Sequence, residues 1–251
     1  MTSTLNVLKI ENLSCNVSGT QILNDINVTF EVGETVGIIG PNGSGKTTLF
    51  NCISGFMPGI SGHLYLKDKE IIKASPSTRA RLGIGRVFQN FGIFRDMSIL
   101  ENMLIAFEGK RPILTTFFPW AKMNRVHKEQ ALELLGRVNL AHRASEKASS
   151  LSGGQMRLLE IVRLLASNAE VFLLDEPTAG VSPKMKDEVV GLIQSLIELN
   201  KTIIVIEHDI NFIQRFCERI VVLDGGKVVL DDVPEKVRAD PRLQEIYFGK
   251  A

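Results

Sequence analysis

The stretch GPNGSGKTT, residues Gly40–Thr48, follows the apolar run TVGIIG and precedes a segment of helical character. It fits the pattern G-x-x-x-x-G-K-[ST], a glycine-rich loop between a strand and a helix whose backbone N–H groups close around phosphate oxygens. In this pattern the lysine, Lys46, reaches the outer phosphates and the next hydroxyl, that of Thr47, binds Mg²⁺. We therefore predict a phosphate-binding loop. Its residues are Gly40, Pro41, Asn42, Gly43, Ser44, Gly45, Lys46, Thr47 and Thr48.

Two acidic residues end a second apolar run, VFLLDEP, residues Val171–Pro177. Acids are common where a strand meets water, so the pair alone would say little. In a chain that also has a phosphate-binding loop, strand ends gather at the edge of a parallel sheet where ligands bind. We expect Asp175 to hold Mg²⁺ and Glu176 to orient and deprotonate an attacking water.

Two further polar residues follow apolar runs of strand length. Gln89 ends GRVFQN and is predicted to sense Mg²⁺ at the junction of sheet and helical segments, although a lone glutamine is commonly a polar surface residue. His208 follows TIIVIE. Most such histidines are structural, but a place at the same sheet edge favours a contact with the outermost phosphate.

The stretch LSGGQMRLLEI, residues Leu151–Ile161, is a second candidate anion site. Ser152 and Gln155 have the S-x-x-Q spacing of a capping box, which predicts a helix start. Gly153 and Gly154 carry no side chains, so a phosphate can approach the backbone closely at the positive end of that helix. We predict that these residues bind phosphate; the alternative is a helix cap that binds nothing.

Composition and charge exclude several classes of protein. The chain has 251 residues, of which 44% are hydrophobic and 23% charged, and its formal net charge is +1. Without a basic excess, we expect no nucleic acid among its partners. Cys15, Cys52 and Cys217 are odd in number and far apart, which predicts no disulfide framework and favours a reducing compartment. We also expect no signal peptide and no transmembrane segment, because the apolar runs fall short of the roughly 20 residues that span a bilayer.

Apolar strands that alternate with helical segments predict an α/β fold with a mainly parallel sheet covered on both faces. The alternating stretches VLKIE and INVTFEV predict an antiparallel N-terminal β part, and RIVVLDGGKVVLDD predicts a hairpin. Helical spacing prevails between these parts, where Ser98 and Glu101 form a capping box. We expect a single domain over 1–251, with a catalytic core of 1–90 and 167–251 and an inserted helical subdomain of 91–166.

Together these motifs resemble those of an ABC-type ATPase. The loop at Gly40–Thr48, Gln89, LSGGQ at Leu151–Gln155, LLDEP around Asp175 and Glu176, and His208 occur in that family's order and spacing. The resemblance implies a P-loop NTPase core that binds and hydrolyses ATP with Mg²⁺. It implies catalytic roles for Lys46, Gln89, Glu176 and His208 and metal contacts for Thr47, Gln89 and Asp175. It also implies a head-to-tail dimer, in which each ATP lies between the phosphate-binding loop of one copy and the LSGGQ helix of the other.

Longer stretches are similar to the ATP-binding subunits of bacterial branched-chain amino acid importers. These stretches are GIGRVFQNFGIFRDMSILENMLIAF, DEPTAGVSP, IEHD and IYFGKA. The similarity implies transmembrane permease subunits and a second ATP-binding subunit, identical or paralogous, as partners on the cytoplasmic face of the membrane. It implies an extracytoplasmic solute-binding protein as an indirect partner.

Several alternatives to an amino acid importer stay open. Urea import and lipid or lipopolysaccharide export are the alternative cargoes within transport. A soluble ABC protein of DNA repair or translation is the rival outside transport, although such proteins carry a long coiled-coil insertion or two ATPase domains. A small-molecule kinase would have no use for LSGGQ.

Two positions depart from the family pattern. Family members commonly have an aromatic residue near Val17 that stacks on adenine, and here an aliphatic contact from Val17 would replace it. Ser182, in AGVS, stands where many members have aspartate. The amino acid importer group commonly departs in the same way, so we still expect an active site.

Overall fold

The computed structural model describes residues 5–88, 92–108, 120–167 and 169–248. Its strands in chain order are β1 (Asn6–Val17), β2 (Thr20–Glu31), β3 (Thr35–Ile39), β4 (Ile60–Leu66), β5 (Lys69–Glu70), β6 (Ile84–Val87), β7 (Val171–Asp175), β8 (Thr202–Ile206), β9 (Arg219–Asp224) and β10 (Lys227–Asp232). Its α-helices are α1 (Lys46–Ser54), α2 (Pro76–Leu82), α3 (Ile99–Glu108), α4 (Trp120–Arg137), α5 (Gly153–Ala166), α6 (Pro183–Glu198), α7 (Ile210–Ile213), α8 (Pro234–Ala239) and α9 (Pro241–Phe248).

The strands form two sheets of different character. A four-stranded antiparallel sheet has the order β2-β1-β4-β5. A six-stranded sheet has the order β10-β9-β3-β8-β7-β6, in which β9, β3, β8, β7 and β6 are parallel and β10 is antiparallel to β9. Helices α3, α4 and α5 lie between β6 and β7 in the chain. These features confirm the predicted α/β fold, with its mainly parallel sheet and its antiparallel N-terminal β part.

The parallel sheet is buried on both faces because its side chains alternate between two cores. In β7, Phe172 and Leu174 pack in a cluster with residues of α3, α4, α5 and α6. Val171 and Leu173 pack in a second cluster with the antiparallel sheet and α1. Burial of one such side chain stabilises the fold by about 1.5–3 kcal/mol. Because both faces of the sheet are covered, side chains on either face gain this stabilisation, which explains the continuous apolar runs of the central strands.

Two helices begin where the sequence predicts a capping box. At α3, Glu101 N donates to Ser98 Oγ at 3.1 Å and Ser98 N donates to Glu101 Oε2 at 2.7 Å. At α5, Gln155 N donates to Ser152 Oγ at 3.3 Å and Ser152 N donates to Gln155 Oε1 at 3.1 Å. Each box satisfies backbone groups that a helix start would otherwise leave unpaired. Among the described residues, no helix combines the length and the apolar character needed to cross a bilayer.

Candidate functional site

The glycine-rich loop connects β3, in the middle of the parallel sheet, to α1. Gly45 caps α1 at φ 103°, a conformation that glycine adopts without strain, and a Cβ there would lie 2.6 Å from Leu23 Cδ2. Gly40 begins the loop, and its N–H donates to the Tyr247 hydroxyl of α9 at 3.0 Å. The loop is therefore held both by its own backbone geometry and by the C-terminal helix.

The Lys46 ammonium lies inside this loop. Its Nζ donates to the carbonyl oxygens of Gly40 at 2.8 Å and Pro41 at 2.9 Å. Burial lowers the pKa of Lys46, and the charges of Glu176 and Asp175 oppose that shift. A buried cation surrounded by backbone groups suits an anionic ligand, which would supply the negative charge that the loop itself lacks.

A cavity of about 390 Å³ opens at the loop and brings together residues from separate parts of the chain. Its lining residues are Ile22, Asn42, Gly43, Gly45, Lys46, Thr47, Thr48, Glu176 and His208. One edge of the sheet thus brings together the predicted phosphate-binding loop, the predicted general base Glu176 and His208, the predicted phosphate contact. Val17 is exposed at the end of β1 and is not among these lining residues, whereas Ile22, which the sequence reading missed, is. The contact of Val17 with a base stays a prediction.

Asp175 ends β7 and is buried against an arginine that the sequence reading also missed. Arg86 Nη2 donates to Asp175 Oδ2 at 2.9 Å, and the two side chains are 6% and 1% exposed. Burial raises the pKa of Asp175, and the Arg86 guanidinium opposes that shift. The other carboxylate oxygen, Oδ1, is buried and has no hydrogen-bond partner among the described residues. A buried carboxylate oxygen without a hydrogen-bond partner is costly in a folded protein, and an ion or a water that binds it removes that cost.

Glu176 has an unusual backbone and a histidine partner. Its φ is 48°, in the left-handed region that non-glycine residues rarely adopt and that clusters at functional sites. Glu176 Oε1 lies 2.8 Å from His208 Nε2. The next turn is fixed by Glu207, whose Oε1 accepts from the Thr178 N–H at 3.0 Å and from the Thr178 hydroxyl at 2.6 Å. The chain segment after β8 therefore holds the segment after β7.

The LSGGQ residues lie at the start of α5 and do not line this cavity. Ser152 and Gly153 are exposed, whereas Gly154 is buried. A Cβ on Gly154 would lie 2.3 Å from Met185 Sδ, so this glycine makes room for α6. Gly154 therefore has a packing role, and the close approach of a phosphate to Gly153 and Gly154 stays a prediction. Within one chain, the phosphate-binding loop and the LSGGQ helix are separate surfaces.

A comparison with known families decides among the readings of this site. The family model for "ABC transporter" matches residues 23–179, which include the phosphate-binding loop, LSGGQ and the Asp175–Glu176 pair. The chain belongs to the ABC transporter family. The matched region is more than half of the chain, and it ends shortly after the acidic pair.

Individual members of the ABC transporter family are similar over the whole length. The high-affinity branched-chain amino acid transport ATP-binding protein BraF of Pseudomonas aeruginosa is 35% identical over 253 residues, which cover 98% of each chain. The crystal structure of the ADP conformation of an ATP-binding cassette of an ABC transporter has a TM-score of 0.85 at 31% identity and covers 98% of this chain and 100% of that one. The dimeric structure of a post-hydrolysis state of another cassette, bound to ADP and Pi, has a TM-score of 0.77 at 29% identity over 90% of this chain and 98% of that one. This chain is an ATP-binding subunit of an ABC transporter.

One predicted position of this ABC transporter subunit cannot be placed. Gln89 lies outside the described residues. Its described neighbour Phe88 is held through both of its backbone polar groups: its N–H donates to Glu160 Oε1 at 3.3 Å, and its carbonyl accepts from Arg157 Nη1 at 2.6 Å. The metal contact and catalytic role of Gln89 stay predictions.

Proposed function

We propose that this chain hydrolyses ATP to drive import of a small polar solute, and that the solute is a branched-chain amino acid. The observation that carries the hydrolysis is the single cavity in which Lys46, Thr47, Glu176 and His208 meet beside the buried, half-satisfied carboxylate of Asp175. The similarity to BraF, whose name states branched-chain amino acid transport, supports the cargo.

The reaction is an in-line attack of water on the γ-phosphorus of ATP, which forms a new P–O bond, breaks the bond to the oxygen that bridges the β- and γ-phosphates, and releases ADP and inorganic phosphate. Backbone N–H groups of the loop and the Lys46 ammonium hold the phosphates and stabilise the charge that develops on them. Glu176 accepts the proton of the attacking water. His208 holds the Glu176 carboxylate through the 2.8 Å contact and reaches the outermost phosphate.

The oxygen donors beside the loop suit Mg²⁺, which prefers carboxylate and hydroxyl ligands and keeps substrate phosphates among its contacts. Thr47 and Asp175 would hold it, together with Gln89, and it would neutralise phosphate charge. Among the described residues no group of three or more histidine, cysteine or acidic side chains could form a complete metal cage. The three protein ligands Thr47, Gln89 and Asp175 would leave the other positions around the ion to oxygens of the nucleotide.

The second part of each site comes from a second ATP-binding subunit. Ser152 and Gly153 are exposed at the start of α5, away from the cavity of their own chain. In a head-to-tail dimer this helix start offers its N–H groups and its positive dipole to the γ-phosphate held by the partner. ATP then favours the closed dimer, and hydrolysis releases it, so the nucleotide shifts a population between two states.

The permease subunits bind an apolar groove on the surface of this chain, which lies at the cytoplasmic face of the membrane. The groove has a volume of about 340 Å³ and lies beside Phe88, next to the predicted Gln89. Phe56, which is 54% exposed, forms part of its wall. The permease and an extracytoplasmic solute-binding protein select the cargo, which this subunit does not contact.

The test of this function is the variant Glu176→Gln. Loss of a positioned general base costs about 10²–10⁴-fold, so we expect ATP turnover to fall by at least about 10²-fold. We also expect the variant to form a dimer that depends on ATP, measured by light scattering. Glu198→Gln, an exposed carboxylate near the end of α6, is the matched control and keeps full turnover. A Glu176→Gln variant that stays monomeric at high concentration with saturating MgATP would contradict the shared site.

A further inference from the structure

Arg86 connects the predicted metal carboxylate to the helix that follows the phosphate-binding loop. Its Nη2 donates to Asp175 Oδ2 at 2.9 Å, while its Nη1 donates to Asn51 Oδ1 at 2.7 Å and to Ser54 Oγ at 2.8 Å. Asn51 and Ser54 lie on the last turns of α1. The guanidinium carbon also lies 4.8 Å from the centroid of the Phe88 ring. One planar group thus fixes the distance between three elements, β6, β7 and α1.

The bond to Arg86 divides the two oxygens of Asp175 between two tasks. Oδ2 is held by the guanidinium, and Oδ1 is buried without a partner among the described residues. A carboxylate held at one oxygen cannot rotate freely, so the other oxygen keeps one orientation. Partners that orient a metal ligand in this way are part of a metal site, although they never touch the metal.

We propose that Arg86 is a positioning residue, which holds Asp175 through one oxygen so that the other is available to Mg²⁺. The proposal rests on the proposed function, because it takes Asp175 as the magnesium carboxylate. It extends that function to a residue of β6 to which the sequence analysis assigned no role.

The direction in which metal affinity changes when Arg86 is removed distinguishes a positioning role from a purely electrostatic one. A guanidinium beside a divalent cation repels it, so an Arg86 that acted only as a nearby charge would weaken metal binding, and its removal would tighten binding. An Arg86 that orients Asp175 strengthens metal binding, and its removal would weaken binding by about 10–100-fold. The two roles therefore predict opposite changes in one measured constant.

The experiment measures metal affinity rather than turnover. Mn²⁺ replaces Mg²⁺ as the probe, with the protein in excess over the non-hydrolysable nucleotide AMP-PNP, and free Mn²⁺ is counted by electron paramagnetic resonance. We expect Arg86→Met to raise the Kd for Mn²⁺ by about 10–100-fold, as loss of an orienting partner does. The affinity for AMP-PNP in EDTA stays at the wild-type value, because the phosphate-binding loop is untouched.

Arg79→Met is the matched control. Arg79 is also buried beside the end of α1, but it donates to backbone carbonyls, among them those of Ile53 and Ala74. We expect its replacement to lower thermal stability and to leave the Kd for Mn²⁺ unchanged. An Arg86→Met variant that binds Mn²⁺ as tightly as the wild type, or an Arg79→Met variant that loses Mn²⁺ equally, would overturn the positioning role.

Two further variants keep the outcome unambiguous. Asp175→Asn tests the proposed function itself: if it leaves Mn²⁺ binding intact, the assignment of Asp175 fails, whereas loss with Asp175→Asn but not with Arg86→Met refutes only the role of Arg86. If Arg86→Met does not fold, Arg86→Lys decides, because lysine keeps the charge but cannot reproduce the fork to three partners. We expect Arg86→Lys to raise the Kd for Mn²⁺ above the wild-type value. An unchanged Kd would refute the proposal.

Discussion

At the scale of single residues, Gly154 leaves space for the Met185 side chain of α6. It belongs to the LSGGQ stretch, yet a Cβ there would lie 2.3 Å from Met185 Sδ and 2.6 Å from Met185 Cε. Gly153, by contrast, is exposed at the helix start. The two glycines of the stretch are therefore distinct, since one faces solvent and the other makes room for α6.

We predict that Gly154→Ala destabilises the fold by at most about 1 kcal/mol, because the added methyl displaces only the flexible thioether end of the half-buried Met185 side chain. In the double variant Gly154→Ala/Met185→Ala the shorter side chain relieves the clash. Its loss of unfolding free energy in urea should fall short of the sum of the single losses by about 0.5–1 kcal/mol, as for residues in contact. Strictly additive losses would show that the two residues do not meet.

The sequence predicts a site residue only where that residue belongs to a local motif, such as a loop between a strand and a helix or the end of an apolar strand. The strand–loop–helix context of Lys46 and Thr47 and the strand ends at Glu176 and His208 are local signals, and these residues line one cavity. Arg86 and Glu207 give no such signal. Arg86 meets residues 35 and 89 positions away in the chain, and Glu207 meets Thr178 only because β7 and β8 pair. Their contacts depend on the sheet order, which spacing along the chain does not contain.

At the scale of elements, α5 holds both sides of the segment that carries Gln89. Glu160 Oε1 accepts from the N–H groups of Phe88 at 3.3 Å and Gly92 at 3.0 Å, and Arg157 Nη1 donates to Glu160 Oε2 at 2.9 Å. Both side chains are almost fully buried. Burial raises the pKa of Glu160, and the two N–H groups and Arg157 oppose that shift. One carboxylate of the helix that begins with LSGGQ thus contacts the described residues on either side of 89–91.

We predict that Glu160→Ala lowers the free energy of unfolding by about 3–5 kcal/mol, because it leaves the buried Arg157 cation without its carboxylate. The matched control is Glu146→Ala, which breaks the more exposed ion pair with Arg143 and should cost no more than about 1 kcal/mol. Urea unfolding of both variants gives the comparison. Similar losses in the two would show that burial of the Arg157–Glu160 pair adds nothing.

The long strands of the antiparallel sheet include residues outside the stretches whose alternation predicts them. The stretch VLKIE lies within β1, and INVTFEV covers the last six residues of β2 and the next residue, Val32; each strand has 12 residues. The alternation breaks between Ile10 and Leu13, where the register shifts and Asn12 adopts a φ of 49°. Side chains repair the break, because Asn12 N donates to Asn27 Oδ1 at 2.8 Å. A bulge of this kind moves residues to the opposite face, so a period-two pattern ends there although the strand continues.

At the scale of the whole molecule, three surfaces are arranged around one parallel sheet. The phosphate-binding cavity is lined by residues that follow β7 and β8. The start of the LSGGQ helix is exposed away from this cavity, and the apolar groove borders β6 and α5. The fold class follows from the alternation of strands and helices. The position of each surface does not, because it depends on packing between distant elements, and the division at 1–90, 91–166 and 167–251 stays a proposal.

The apolar groove is the predicted contact surface for the permease subunits. If the chain is tagged in its native cell and extracted from membranes in mild detergent, we expect two hydrophobic permease subunits to copurify. Phe56 is 54% exposed in the wall of the groove, so Phe56→Asp places a charge where an apolar partner surface would bury it.

We expect Phe56→Asp to abolish copurification of the permease. Leu199→Asp is the control, because Leu199 is 56% exposed after the end of α6 and outside the groove, and it should retain the partners. Thermal unfolding of both variants confirms that each is folded. Permease subunits that still accompany Phe56→Asp would place the docking surface elsewhere, and loss with both variants would show that the groove has no special part in docking.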